Sequence, residues 1–212
     1  MKNTKLITMI EGAIIAGICV ALSYIPLNTA NAAFDLSLGL IPLGVYALRR
    51  GLPAGMAVGF VWGLLLIVLA KAYYWSVPQV LLEYPIAFAF GGFGGIFAGR
   101  LKRGLSNGAV GGADSMENNK VKNVGEAKKI GAEVILTVIF AGIVAAATRW
   151  FFHFWAGVIF WGSYAPEGMS PYLYSFIANG VSAAANAAML AVILVILVKT
   201  AKTLFVVKTP DR

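Results

Sequence analysis

Residues 131–161, GAEVILTVIFAGIVAAATRWFFHFWAGVIFW, decide the fold. The run is apolar for longer than the roughly 20 residues a helix needs to cross a hydrocarbon core of about 30 Å. Its internal ionisable side chains, Arg149 and His153, lie toward one end, followed by a dense block of aromatics. A helix that is hydrophobic on all sides belongs inside protein or in lipid, and a chain built around such a helix is read first as a membrane protein.

The rest of the chain agrees. Of its 212 residues 59% are hydrophobic and only 12% charged, with a mean hydropathy of +0.80, far outside the range of water-soluble domains. Long apolar runs cover about 6–25, 52–70, 77–99 and 173–198 besides the one quoted, whose spanning part is about 131–155. A weaker run at about 34–48 carries Pro42 and is read as a sixth, kinked or partly re-entrant span, tolerable where the freed backbone groups face protein. The expectation is an all-α integral membrane protein, a single domain over 1–212 with six transmembrane helices. The polar stretch 101–130, rich in Gly, Asn and Lys, reads as a flexible cytoplasmic linker.

Charge supports the six-span reading. With both termini cytoplasmic, all of the 17 Lys and Arg residues except Lys71 and Arg149 fall on the inner side, as cytoplasmic flanks of membrane proteins require. A five-span arrangement would put a basic cluster outside. The net charge of +8 is thereby assigned to topology and to contact with the lipid bilayer, and nucleic acid is not needed as a partner. The first run is not read as a cleaved signal: its apolar part continues to Ile25 and it holds Glu11. One cysteine, Cys19, and one histidine leave no basis for a disulfide framework or a metal site.

Two rows of small residues stand out. Ala13, Gly17 and Ala21 give the first span a smooth face, suited either to packing within the protein or to docking on a separate membrane subunit. Gly91, Gly95 and Gly99, in GGFGGIFAG, read as a close helix-packing face; no Gly-Lys-Ser/Thr follows, so they are not a nucleotide loop. No enzyme constellation and no ATP-hydrolysing motif is present, and no cofactor is implied.

Ionisable and amide side chains inside spans are costly and are functional candidates. Glu83 ends one span in LLEYP, Asn179 lies in YSFIANG, and Arg149, His153, Gly157 and Trp161 recur every fourth residue along one helical face. Tyr73, Tyr84 and Tyr174 surround them in sequence. An aromatic-lined pocket with one carboxylate suits a flat organic cation. The competing reading pairs Glu83 with Arg149 as a structural ion pair and assigns the aromatics to the membrane interface.

These residues resemble a known family, the thiamine-specific substrate-binding (S) components of energy-coupling factor (ECF) vitamin importers. The resemblance rests on ALRRGLPAG (47–55), FVWG (60–63), the stretch from Tyr73 ending in LEY, FFHFWAGVIFWGSYAPEG (151–168) and YSFIANG (174–180). It implies a six-helix protein that binds thiamine near its outer face and docks on an ECF transmembrane coupling subunit driven by two ATPase subunits. Glu83, His153 and Asn179 would hold the aminopyrimidine and thiazolium, and Tyr73, Tyr84, Trp161 and Tyr174 would enclose the rings. Gly157 would give the backbone close access, and Trp62 is a further candidate. The row Ala13, Gly17, Ala21 is similar to the docking motif of such components. Three departures go with it: Arg149 stands where lysine is frequent, which brings thiamine phosphates into consideration; Phe34 stands at an aromatic lid position that can be tryptophan; and the linker is longer. An S component for another flat heterocycle, and a solitary membrane carrier or scaffold, are the alternatives.

Overall fold

In a computed structural model, which describes residues 2–25, 27, 35–110 and 130–207, helices carry nearly all the regular structure. Six helical passages follow one another: α1 (Lys2–Leu22), α2 (Leu40–Arg50), α3 (Leu52–Val68), a broken passage from Val77 to Val110, α7 (Ala132–Phe160) and α8 (Pro171–Thr200). Phe34 lies outside the described residues. Among the described residues four helical segments are long and apolar enough to cross a membrane: Thr4–Leu22, Val77–Ser106, Ala132–Phe160 and Pro171–Thr200. Large apolar side chains such as Met9, Ile14, Phe140, Ile159 and Val192 point outward from them, which water would penalise and lipid would not.

The weak sixth run differs from its expectation. Helix α2 begins at Leu40 and has 11 residues, about 16 Å of rise and too short to cross by itself. Pro42 causes no kink, because it stands in the first turn, where a missing N–H is no loss. What α2 lacks in length it makes up in burial. Leu40, Leu43, Tyr46, Ala47 and Leu48 are all enclosed, and they meet Trp62 and Leu66 of α3, Val138 and Ala145 of α7, and Leu190 and Leu194 of α8 in one core. Gly51 alone separates α2 from α3; its φ of +93° and ψ of 174° is a conformation that only glycine adopts without strain, so the reversal needs glycine there.

The passage from Val77 to Val110 is broken twice. It runs as α4 (Val77–Leu81), a π-helical turn (Leu82–Ile86), α5 (Ala87–Gly91), a 3₁₀ stretch (Gly92–Phe97) and α6 (Ala98–Val110). Pro85 inside the π turn accounts for the first break, since its ring cannot fit the regular α-helical ladder. The turn also lies where α3 comes closest: a side chain at Gly63 would collide with the backbone of Tyr84 and Pro85 at 2.5–2.6 Å. The glycine row is only partly a packing row. Gly92 and Gly95 touch the backbone of the α2–α3 corner, and Gly94 touches Ala141, but Gly99 faces open space, because the 3₁₀ turns shift the phase of the row. Helix α6 continues through Val110 into the stretch read as linker, with Leu101 and Leu105 packed on the core at helical spacing. Residues 111–129 lie outside the described residues.

The two ends of the bundle differ in chemistry. At one, Glu11 of α1 accepts from Arg49 (3.2 Å) and Arg50 (2.6 Å) of α2. Arg49 also donates to the carbonyls of Thr203 (3.1 Å) and Val206, holding the last 3₁₀ turn (Lys202–Phe205) so that Phe205 is fully buried. At the other end a cavity opens.

Candidate functional site

The cavity has a volume of about 700 Å³ and is lined from every passage except α6, within the range of small-molecule sites. Nine residues singled out from the sequence line it: Tyr73, Glu83, Tyr84, Arg149, His153, Gly157, Trp161, Tyr174 and Asn179. The four-residue rhythm along α7 is why one helix supplies so much of the wall. Arg149, His153 and Gly157 project from one face of α7, and Trp161 follows at its C-terminal cap.

Glu83 sits in the π turn, its carboxylate gripped on both oxygens. Trp161 Nε1–H donates to Oε1 at 2.6 Å, and Gln79 Nε2–H donates to Oε2. Trp161 is thereby drawn toward the loop after α3, its ring 5.2 Å from Tyr73 and 6.3 Å from Trp75. Tyr84 turns its hydroxyl to the same loop and accepts the backbone N–H of Tyr73 at 2.7 Å. Tyr73 itself is 55% exposed, on the cavity rim.

Across the cavity, Gly157 lets α8 approach α7. A Cβ there would overlap the Ser175 hydroxyl and stand 2.8 Å from Asn179 Nδ2. Ser175 donates to the carbonyl of Phe154 (2.7 Å), and Asn179 Nδ2 donates to Ser175 O (3.2 Å) and Oγ (3.1 Å), fixing the amide beside the cavity. Gly157 therefore serves helix approach as well as cavity access.

The proposed Glu83–Arg149 ion pair is overturned. Arg149, only 8% exposed, faces Asp35 at 3.6 Å and lies over the Phe88 ring at 4.5 Å. The reason is the connection ahead of α2, which α8 clasps over the cavity. Ser182 Oγ accepts from Asp35 N (3.0 Å), Asn186 Oδ1 accepts from Ser37 N (2.9 Å), and Asn186 Nδ2 donates to Asp35 O (2.7 Å). The Asp35 carboxylate is thus brought to Arg149, while Glu83 is taken by Trp161 and Gln79. Arg149 Nε and His153 Nε2 are buried without a hydrogen-bond partner among the described residues.

Trp62 is the other correction. It is fully buried behind the cavity, edge-on to Phe88 with centroids 4.4 Å apart, and its Nε1–H donates to Ser23 Oγ at 3.0 Å. Its packing against Gly39 leaves it no path to the lining. Asp35, Gln79, Ser182 and Asn186 were not singled out from the sequence. For Gln79 a signal existed, an amide four residues ahead of Glu83 on an apolar helix. On α1, Ala13, Gly17 and Ala21 all lie on the exposed face, whereas Gly12, Ala16, Cys19 and Val20 face the core.

An all-α membrane bundle with an aromatic, carboxylate-bearing cavity at one end is the architecture of a membrane solute-binding protein. The chain belongs to the thiamine transporter protein family (Thia_YuaJ), whose model matches residues 9–206. It is 39% identical over 211 residues to the thiamine transporter ThiT of Lacticaseibacillus paracasei, covering 98% of this chain and 94% of that one. It is 25% identical over 205 residues to ThiT of Bacillus subtilis, with 96% of each covered. The solved structure of ThiT from Listeria monocytogenes superposes with a TM-score of 0.82 at 33% identity, covering 97% of this chain and 100% of that one.

Proposed function

We propose that this protein captures thiamine as the S component of an ECF-type importer. The observation that carries the reading is Glu83, a carboxylate held at the wall of an aromatic cavity, in a chain of the thiamine transporter family. A thiazolium is a flat cation, and an anion in a low-dielectric site flanked by Trp161, Tyr73 and Tyr84 favours it by charge and by stacking. His153 and Asn179, on the facing helices, supply polar groups for the aminopyrimidine edge. Arg149, with a free Nε at the cavity wall, extends the ligand class to thiamine phosphates, because its guanidinium fork matches a phosphate.

The cavity end faces outward and the end bearing Arg49, Arg50 and the two termini faces the cytoplasm, by the distribution of Lys and Arg. Without an ATP-hydrolysing motif, uptake draws on a coupling subunit and two ATPases, and the exposed row Ala13, Gly17, Ala21 of α1 is the docking face. A side chain added at Gly17 would meet nothing within 4 Å, so the small residue there is not demanded by this chain's own packing.

The test is intrinsic tryptophan fluorescence of the purified, detergent-solubilised protein titrated with thiamine, thiamine monophosphate and riboflavin. Saturable quenching by thiamine at submicromolar concentration, absent with riboflavin, is expected; no response, repeated by calorimetry, would remove the substrate assignment. ATP-independent transport by the lone chain in liposomes would instead make it a solitary carrier.

A further inference from the structure

A buried amide in a membrane helix needs a reason. Gln79 is fully enclosed, at a position where an apolar side chain of the same size would carry no desolvation cost. Its amide is used completely on the cavity's behalf. Nε2–H donates to Glu83 Oε2 and to the carbonyl of Tyr73 (3.2 Å), and Oε1 accepts the N–H of Trp75 (3.0 Å). One side chain therefore ties the carboxylate to the rim loop that carries Tyr73 and Trp75. It stands outside the cavity lining, behind Glu83.

We propose that Gln79 is a positioning residue, which aims the Glu83 carboxylate and the Tyr73–Trp75 rim at a cationic ligand; this rests on the thiamine reading above. The residue type fits the task. Lysine or arginine here would neutralise the carboxylate and cancel the field a cation needs, while glutamate would repel it. An amide N–H orients the anion and leaves its charge in place. Gln79 and Glu83 are one helical turn apart, where side chains meet. Trp161 holds the other carboxylate oxygen from across the cavity, so the group is gripped once from the cavity side and once from behind.

The test compares wild type, Q79M, Q79E, E83Q and the doubles with E83Q, as full-length protein in detergent, by thiamine calorimetry and thermal unfolding. Q79M and Q79E should each weaken thiamine binding about tenfold or more, the size of a lost hydrogen bond to a charged group, with the ligand-free unfolding midpoint nearly unmoved. In the E83Q background the same changes should cost less than about threefold, because the anion they serve is gone. Wild-type-like affinity of Q79M, or an equal loss in both backgrounds, would overturn the inference; a purely structural role gives that equal loss together with a lowered midpoint. Should Q79M fail to fold, Q79E, which keeps the shape and the acceptor for Trp75, decides by the same criteria. Wild-type protein that does not bind thiamine would remove the parent reading, and this one with it; full binding by E83Q would remove the role of Glu83.

Discussion

Two clusters of charge sit at opposite ends of this bundle, and they are finished to different degrees. Around Glu11 every strong group is matched: both carboxylate oxygens accept from arginine, and Arg49 spends its remaining donors on the carbonyls of the last turn. Around the cavity the matching stops short. Arg149 reaches Asp35 only at 3.6 Å, and Arg149 Nε and His153 Nε2 are buried with no partner among the described residues. Buried polar groups are nearly always hydrogen-bonded, and the exceptions need an explanation. A saturated cluster holds the fold together, whereas an unsaturated one beside a cavity keeps bonding capacity for a ligand.

The largest expected effect tests the second half of that contrast. Glu83→Gln keeps the shape of the side chain and its contact to Trp161 but removes the charge, so thiamine affinity should fall about a hundredfold or more, while unfolding is almost unchanged. Calorimetry and a thermal melt on the same sample check both. Unchanged affinity would mean that the carboxylate is structural, like Glu11, and the contrast would collapse. Arg149→Met should be milder for thiamine, about tenfold or less, and clearly larger for thiamine monophosphate, because a guanidinium with a free Nε gains most from an anionic tail. Equal losses for the two ligands would confine Arg149 to its pairing with Asp35.

The saturated cluster should respond in the opposite way. Glu11→Gln leaves Arg49 and Arg50 without their counter-ion and loosens the turn that buries Phe205, at a cost of about 2 kcal/mol of stability. The measurable outcome is a lowered unfolding midpoint with thiamine affinity within about twofold of wild type. A matching drop in affinity would show that the two ends are coupled through α1 and α2, which sharpens the comparison into a question about how the docking helix communicates with the cavity.

How far these assignments could be read in advance depends on the kind of information each needs. Apolar runs identify helices because lipid solvation is a property of each segment, and the residues that gather at the cavity were found because polarity inside a span is conspicuous wherever it occurs. Pairing is another matter. Which acid meets Arg149 depends on how α8 clasps the connection before α2, and nothing local to Arg149 distinguishes Asp35 from Glu83. The end of α6 was misplaced because the stretch after 100 is polar by composition, although Leu101 and Leu105 continue a helical face onto the core. Gln79 and Asn186 escaped notice because an amide is a weak signal until the loop it holds is known.

Trp62 gives the smallest expected effect on binding and a clear way to break the division between fold and site. Family resemblance nominated it as a ligand contact, yet it is sealed behind Phe88 and bonded to Ser23. Trp62→Phe removes that hydrogen bond and leaves a void beside Gly39, costing about 1–3 kcal/mol. Affinity should change by less than about threefold, through the indirect route of Phe88, whose ring supports Arg149 and His153. A tenfold loss of affinity at unchanged stability would put Trp62 among the ligand contacts, and would mean that the cavity wall at Phe88 opens when thiamine enters.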